Sequence, residues 1–117
     1  VSASLFLPRV LSYICSNKYF RSGYGEKLRD FLGKNTTIQQ LIDFGDTDVF
    51  TAIAYPSIIL FSKEKASKDA QLKALSWQQT EALNEFPTVF NAQNFLMPQS
   101  ALKADGWRLE DTQVLDL

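Results

Sequence analysis

Three groups of residues in this chain have the types and spacing to do chemistry. Phe50 and the pair Tyr55-Pro56 sit in an irregular stretch between two apolar segments, where a ring can either pack under the loop or offer a flat face to a ligand. Pro56 fixes the backbone and biases Tyr55 towards an extended conformation, so the pair reads either as a pocket wall or as a rigid start to a strand. Asn17 follows an apolar run, where it either lines a pocket beyond a strand end or simply forms a turn. Lys18 and Arg21 come next and suit either phosphate or plain solvation. Asp43, Asp46 and Asp48 hint at a cation, but the regular calcium loop with its closing Glu is missing, and they read as turn formers.

The elements that must hold these residues are legible from hydrophobic pattern. Residues 11–16 read as a buried strand ending at Asn17-Lys18. Ser22 can cap a helix running to about Leu32, with Gly33 as the stop. Tyr24, Leu28, Phe31 and Leu32 share one face at helical spacing, which leaves Glu26, Lys27, Arg29 and Asp30 to solvent. A strand follows over residues 36–44, and strand, helix, strand in this order predicts a parallel crossover. The next strand, residues 54–62, comes after a connection too short for another crossover and should run antiparallel. Gly23-Tyr24-Gly25 is no nucleotide fingerprint, because no strand leads directly into it.

Beyond Lys65 the pattern is weaker. Residues 66–70 form a polar linker, and residues 71–77 fit a strand or the start of a helix. Residues 79–85 look helical, ending before Pro87. Residues 94–99 fit a strand whose Pro98 suits a sheet edge, and residues 100–104 one helical turn stopped by Asp105-Gly106. Trp77 and Trp107 read as packing anchors.

Composition narrows the classes. The 117 residues suffice for one modest core, and 45% hydrophobic with 21% charged residues is an ordinary globular balance. A net charge of −1 argues against a free-standing nucleic-acid binder, yet residues 1–68 carry nine basic and six acidic side chains against three and seven in residues 69–117. Contact with a polyanion therefore belongs to the first part. The single Cys15 excludes an internal disulfide and lies in an apolar run, as a buried inert thiol would. The lack of His removes the usual general base and the commonest zinc ligand. No run approaches membrane-spanning length, and the expectation is an intracellular protein without a membrane partner. The first residue is Val rather than Met, which points to an excised piece.

Two stretches carry a family resemblance: IDFGDTDVFTAIAYPSIILF over residues 42–61 and YICSNKYFRSGYGEKLRDFL over residues 13–32. Together, over roughly residues 11–63, they resemble the distal part of the catalytic domain of amino-type adenine (N6) DNA methyltransferases. The nearest likeness is to fused restriction–methylation (type IIG) enzymes and related phage-resistance methylases. The passage QSALKADGWRL over residues 99–109 is similar to the one that leads there from the catalytic domain to the DNA-recognition region.

The resemblance implies an α/β fold: a fragment of a methyltransferase-type mixed sheet, with a strand–helix–strand crossover and an antiparallel last strand inserted between its two predecessors. The chain would carry the final three strands of that sheet and an α+β tail. Residues 1–65 would be the distal half of the catalytic domain and residues 66–117 a connector towards the recognition region. It also implies that Phe50 stacks on an extruded target adenine, that Tyr55, Pro56 and Asn17 shape its pocket, and that Lys18 and Arg21 meet DNA phosphate. S-adenosylmethionine would be the parent enzyme's cofactor. The glycine-rich loop and Asn-Pro-Pro-aromatic motif that serve cofactor and amino group in that family do not occur in these 117 residues. The chain should then be inactive alone, work in the cytoplasm of a bacterium or archaeon with the missing N-terminal half, and tend to self-associate through a bare sheet edge. The alternatives are a small non-catalytic α/β module that binds protein or nucleic acid, and a methyltransferase with another substrate.

Overall fold

A computed structural model describes residues 10–45, 54–77 and 83–109. Their centre is a five-stranded mixed sheet: β1 (Val10–Ser16), β2 (Thr37–Asp43), β3 (Pro56–Ser62), β4 (Gln71–Ser76) and β5 (Phe95–Pro98) in the order β1-β3-β2-β4-β5. β3 is antiparallel to both β1 and β2 and lies between them, so β1 and β2 point the same way. This is the insertion expected for the last strand. The sheet does not end with three strands, however, because β4 joins β2 in parallel and β5 closes the far edge antiparallel to β4.

The strands form where β-branched and aromatic residues cluster, and β3 opens on a proline, as a strand's first position allows. β4 settles as a strand because Leu72 and Ala74 face one layer while Leu75 faces the other. Residues 86–93 overturn one expectation. They form helix α2 (Phe86–Gln93), with Pro87 in its first turn. That turn needs no amide donor from Pro87, so the residue starts the helix instead of ending one.

Each sheet face has its own core. On one, Ile38, Leu41, Ile59, Phe61, Leu72 and Ala74 pack with Tyr19, Phe20, Leu32, Leu102 and Trp107. On the other, Ile42, Phe44, Leu75 and Trp77 pack against Val89 and Phe90 of α2. Both tryptophans are buried. Cys15, on the edge strand β1, is only partly buried, with its Sγ 3.9 Å from Ser57 Oγ.

Helix α1 (Glu26–Asn35) crosses from β1 to β2 but presents a different face from the one its apolar residues suggest. Gly25, Arg29 and Leu32 are buried, whereas Tyr24, Leu28 and Phe31 are exposed. The helix is turned by one residue, about 100°. Arg29, only 2% exposed, donates to the carbonyls of Tyr19 (2.8 Å), Ser22 (2.6 Å) and Ala104 (2.8 Å). Its charge is absorbed by three backbone oxygens, which is why a residue expected in solvent sits inside. Gln99 caps the other end of α1, donating to the carbonyls of Gly33 (3.3 Å) and Thr36 (2.7 Å) while accepting from the Ile38 amide (2.9 Å).

Candidate functional site

The parallel strands β1 and β2 both end at one rim of the sheet, and β3 starts between those ends. Chain ends brought together this way leave a depression that no strand fills. The cleft there measures about 410 Å3 and is lined by Asn17, Lys18, Phe20, Arg21, Ser22, Asp43 and Tyr55. Asn17 and Lys18 belong to a 3₁₀ turn (Asn17–Phe20) that leaves β1, with Ser16 Oγ accepting from the Lys18 amide. Buried Tyr19 and Phe20 root that turn in the core, so the two polar residues before them are held at the rim.

Tyr55 is fixed by its backbone. Its φ of 54°, left-handed instead of the extended conformation expected before Pro56, is the one such non-glycine conformation among the described residues. Such a conformation costs on the order of 1–3 kcal/mol and persists only where neighbours over-determine it. Here the Asn17 amide donates to the Tyr55 carbonyl (2.7 Å), and the Phe44 amide to the Pro56 carbonyl (3.0 Å). The Tyr55 ring stays 45% exposed, with the Lys18 ammonium 5.1 Å from its centroid. A cation over an aromatic face at this distance is attracted by the ring quadrupole.

Asp43, expected only to form a turn, closes the cleft. Its Oδ1 accepts from Asn17 Nδ2 (2.9 Å) and from the Gly45 amide (2.8 Å). Gly45 has φ 62°, a conformation that glycine adopts at no steric cost. Nothing in local sequence signals the Asn17–Asp43 contact, since it joins residues 26 apart that only the strand order makes neighbours.

Four of the residues singled out from sequence, Asn17, Lys18, Arg21 and Tyr55, thus line one cleft. Pro56 does not; its ring is almost wholly buried and has no surface for a ligand, which limits it to shaping the backbone. Phe50, Asp46 and Asp48 lie outside the described residues. A second groove, about 600 Å3 at the other end of β2 and β3, includes Lys34, Lys65, Lys68 and Lys103. Lys34 there is paired with Asp30 at 2.9 Å.

A side chain at Gly23 or Gly45 would meet nothing within 4 Å, so both glycines face open space. Gly25 is tight because it lies on the Tyr19 carbonyl, which is a packing role. No helix of the described residues is long and apolar enough to cross a membrane.

The mixed α/β fold is shared with known proteins. A protein solved as the modification subunit of a type I restriction enzyme from Vibrio vulnificus YJ016 superposes with a TM-score of 0.57 at 11% identity, over 92% of this chain and 29% of that one. The likeness shows a shared fold over nearly the whole of this chain. The family model of the Eco57I restriction-modification methylase matches residues 2–50. The Type II methyltransferase M.BanIII of Aneurinibacillus aneurinilyticus is 37% identical over 59 residues, which is 50% of this chain and 10% of that protein. The chain fits a fragment of a restriction–modification methyltransferase, and it spans about a tenth of this curated relative's length.

Proposed function

We propose that this chain forms one wall of the target-base pocket in an adenine-N6 DNA methyltransferase of a type IIG restriction–modification or phage-defence system. The observation that carries this reading is the convergence of Asn17, Lys18, Arg21 and Tyr55 on one cleft at the rim where β1 and β2 end. An extruded adenine needs flat apolar surface beside hydrogen-bonding groups, and duplex DNA needs cations at the edge. Tyr55 supplies exposed ring, Asn17 an amide, and Lys18 and Arg21 exposed charge. Phe50, five residues before Tyr55, supplies the stacking ring from the loop, and buried Pro56 sets the direction of the backbone.

The missing N-terminal half holds S-adenosylmethionine, which supplies the methyl group, together with the donors that stabilise the adenine amino group. No step of the transfer runs through this chain, which is inactive by itself in the cytoplasm of its bacterium or archaeon. Residues 1–65 are the distal half of the catalytic domain, and residues 66–117 lead towards a DNA-recognition region after adding β4 and β5 to the sheet.

The test uses a full-length methyltransferase carrying this chain. Stacking on a base is worth about 1–3 kcal/mol, so Phe50→Ala is expected to lower kcat/KM by roughly 5- to 150-fold. Lys18→Ala and Arg21→Ala should weaken duplex binding and each reduce the slope of log affinity against log salt by about one. Mass spectrometry of the product should show N6-methyladenine. Wild-type methylation by Phe50→Ala and Tyr55→Ala together, or methylation of another base, would sink the reading.

A further inference from the structure

The groove at the far end of β2 and β3 gathers Arg29, Lys34, Lys65, Lys68 and Lys103, with Asp30 as its one carboxylate. A chain with 12 basic and 13 acidic side chains, net charge −1, thus sets five of its cations around one space of about 600 Å3. Lys34 takes up the Asp30 carboxylate at 2.9 Å. Lys65, Lys68 and Lys103 are exposed, and among the described residues none of the three has a carboxylate partner.

Buried bonds cross-link the walls of this groove. Arg29 ties α1 to the Ala104 carbonyl, next to Lys103 (2.8 Å), and Gln99 ties the 3₁₀ turn Gln99–Ala101 to the end of α1 through the Gly33 and Thr36 carbonyls. Both side chains are almost wholly enclosed, at 2% and 4% exposure. The connection that carries Lys65 and Lys68 is bound at each end. Thr37 Oγ1 donates to the Glu64 carbonyl (2.7 Å), and the Gln99 amide to the Ala70 carbonyl (2.9 Å). Ammonium groups held around one space repel each other, and a polyanion that enters relieves the repulsion while shedding its own counterions.

We infer that this groove is a second DNA contact, a seat for the phosphodiester backbone away from the target base. Lysines meet phosphate as point charges and read no sequence, which suits flanking duplex. β2 has seven residues, so the groove lies about 20 Å from the cleft at its other end, or about six base pairs of duplex. The inference rests on the parent enzyme's acting on DNA and is independent of the base pocket.

The experiment follows duplex binding by the full-length methyltransferase across a salt series, read by fluorescence anisotropy. On a duplex of about 40 base pairs, Lys68→Ala/Lys103→Ala should weaken binding by about tenfold or more near 100 mM salt and lower the slope of log affinity against log salt by about two. Lys27→Ala/Lys73→Ala removes the same charge outside the groove and should lower the slope by less than about one. On about ten base pairs centred on the target, too short to reach the groove, Lys68→Ala/Lys103→Ala should bind within about twofold of wild type. The loss in turnover should appear in KM rather than in kcat. An equal loss on long and short duplexes, or an equal loss in the Lys27→Ala/Lys73→Ala control, overturns the inference. A wild-type slope in the groove variant also overturns it and leaves an acidic protein segment as the groove's partner. Tyr55→Ala, in the cleft, should lower the methylation rate with the slope unchanged, so the base-pocket reading and the groove fail separately.

Discussion

Arg29 and Tyr19, joined by a hydrogen bond from the guanidinium to the Tyr19 carbonyl, show how this chain handles buried polarity. Arg29 is almost fully enclosed and gives hydrogen bonds to three carbonyls, whereas Tyr19 is also buried and its hydroxyl, beside Ser57 and Cys15, makes no bond of good geometry. The Tyr19 ring earns its place by packing edge-on to Phe20 at 4.8 Å and Trp107 at 5.7 Å. Burial, with nearby Cys15 as a smaller cause, pushes its phenol well above the usual tyrosine range. Removing a buried hydroxyl that lacks a well-formed bond and keeping the ring should change stability by no more than about 1 kcal/mol in Tyr19→Phe, measured by chemical denaturation at pH 7. The sign of the pH effect follows from the raised value. The unfolded chain loses this proton near pH 10 and the folded chain keeps it, so stability falls as pH rises above 10. Its slope is at most about 1.4 kcal/mol per pH unit from this group. Tyr19→Phe should flatten the wild-type curve above pH 10, and a variant that follows the wild type there would show that the phenol ionises as freely folded as unfolded.

The junction between the 3₁₀ turn after β1 and helix α1 is where an element's position depends on one glycine. A Cβ at Gly25 would lie 2.6 Å from the Tyr19 carbonyl oxygen and 3.0 Å from its Cα, both backbone atoms that cannot swing aside. Gly25→Ala should therefore cost about 2 kcal/mol or more, moving the turn that carries Asn17 and Lys18 away from α1. Gly23→Ala, two residues earlier with open space around it, should change stability by less than about 0.5 kcal/mol in the same unfolding assay. Equal effects would mean that the turn does not lean on the helix here. The same junction marks the limit of what hydrophobic pattern reveals. β1, β2 and β3 were legible as strands because their apolar runs are β-branched and bounded by turn residues, and the family likeness supplied the insertion of β3; β1, expected to be buried, is instead an edge strand with Tyr13 and Ile14 exposed. Of the packing face read as Tyr24, Leu28, Phe31 and Leu32, only Leu32 is buried, because the 24, 28, 31 spacing is as regular as 25, 29, 32 and nothing local says that Arg29 will find three carbonyls. Of the helix expected over residues 79–85, residues 79–82 lie outside the described residues and residues 83–85 form a 3₁₀ turn; α2 was missed because Pro87 is equally compatible with a helix end and a helix start. In the cleft, Asn17 and Tyr55 could be picked out by position at strand ends, but the Asn17–Asp43 contact exists only once β3 has brought β1 and β2 into one rim.

At the scale of the whole molecule, the described residues form a sheet that is closed on one side by a short strand and open on the other. β5 closes its edge with four residues and a proline, a short strand that discourages further pairing. β1 has seven residues, pairs only with β3, and exposes Val10, Tyr13 and Ile14. Neighbouring side chains on a strand point to opposite faces, so Tyr13 at 54% and Ile14 at 47% exposure leave apolar surface on both sides of that edge. Tyr24, Leu28 and Phe31 add a second uncovered stripe on α1. A sheet fragment of a longer methyltransferase would pair this edge with the strand that precedes β1 in space, and without that strand it should pair with another copy of itself. Sedimentation velocity on the isolated chain is then expected to show association that grows with concentration. A lysine on the bare strand places a charge where two apolar edges would meet, so Ile14→Lys should weaken that association by about tenfold or more, in the way natural edge strands are protected. Because Ile14 is nearly half exposed, the substitution should leave the melting temperature within a few degrees of wild type, which separates an edge effect from unfolding. A wild-type chain that stays monomeric at about 100 μM, well above the concentrations at which unpaired edges usually associate, would mean that β1 is covered by other residues of this chain.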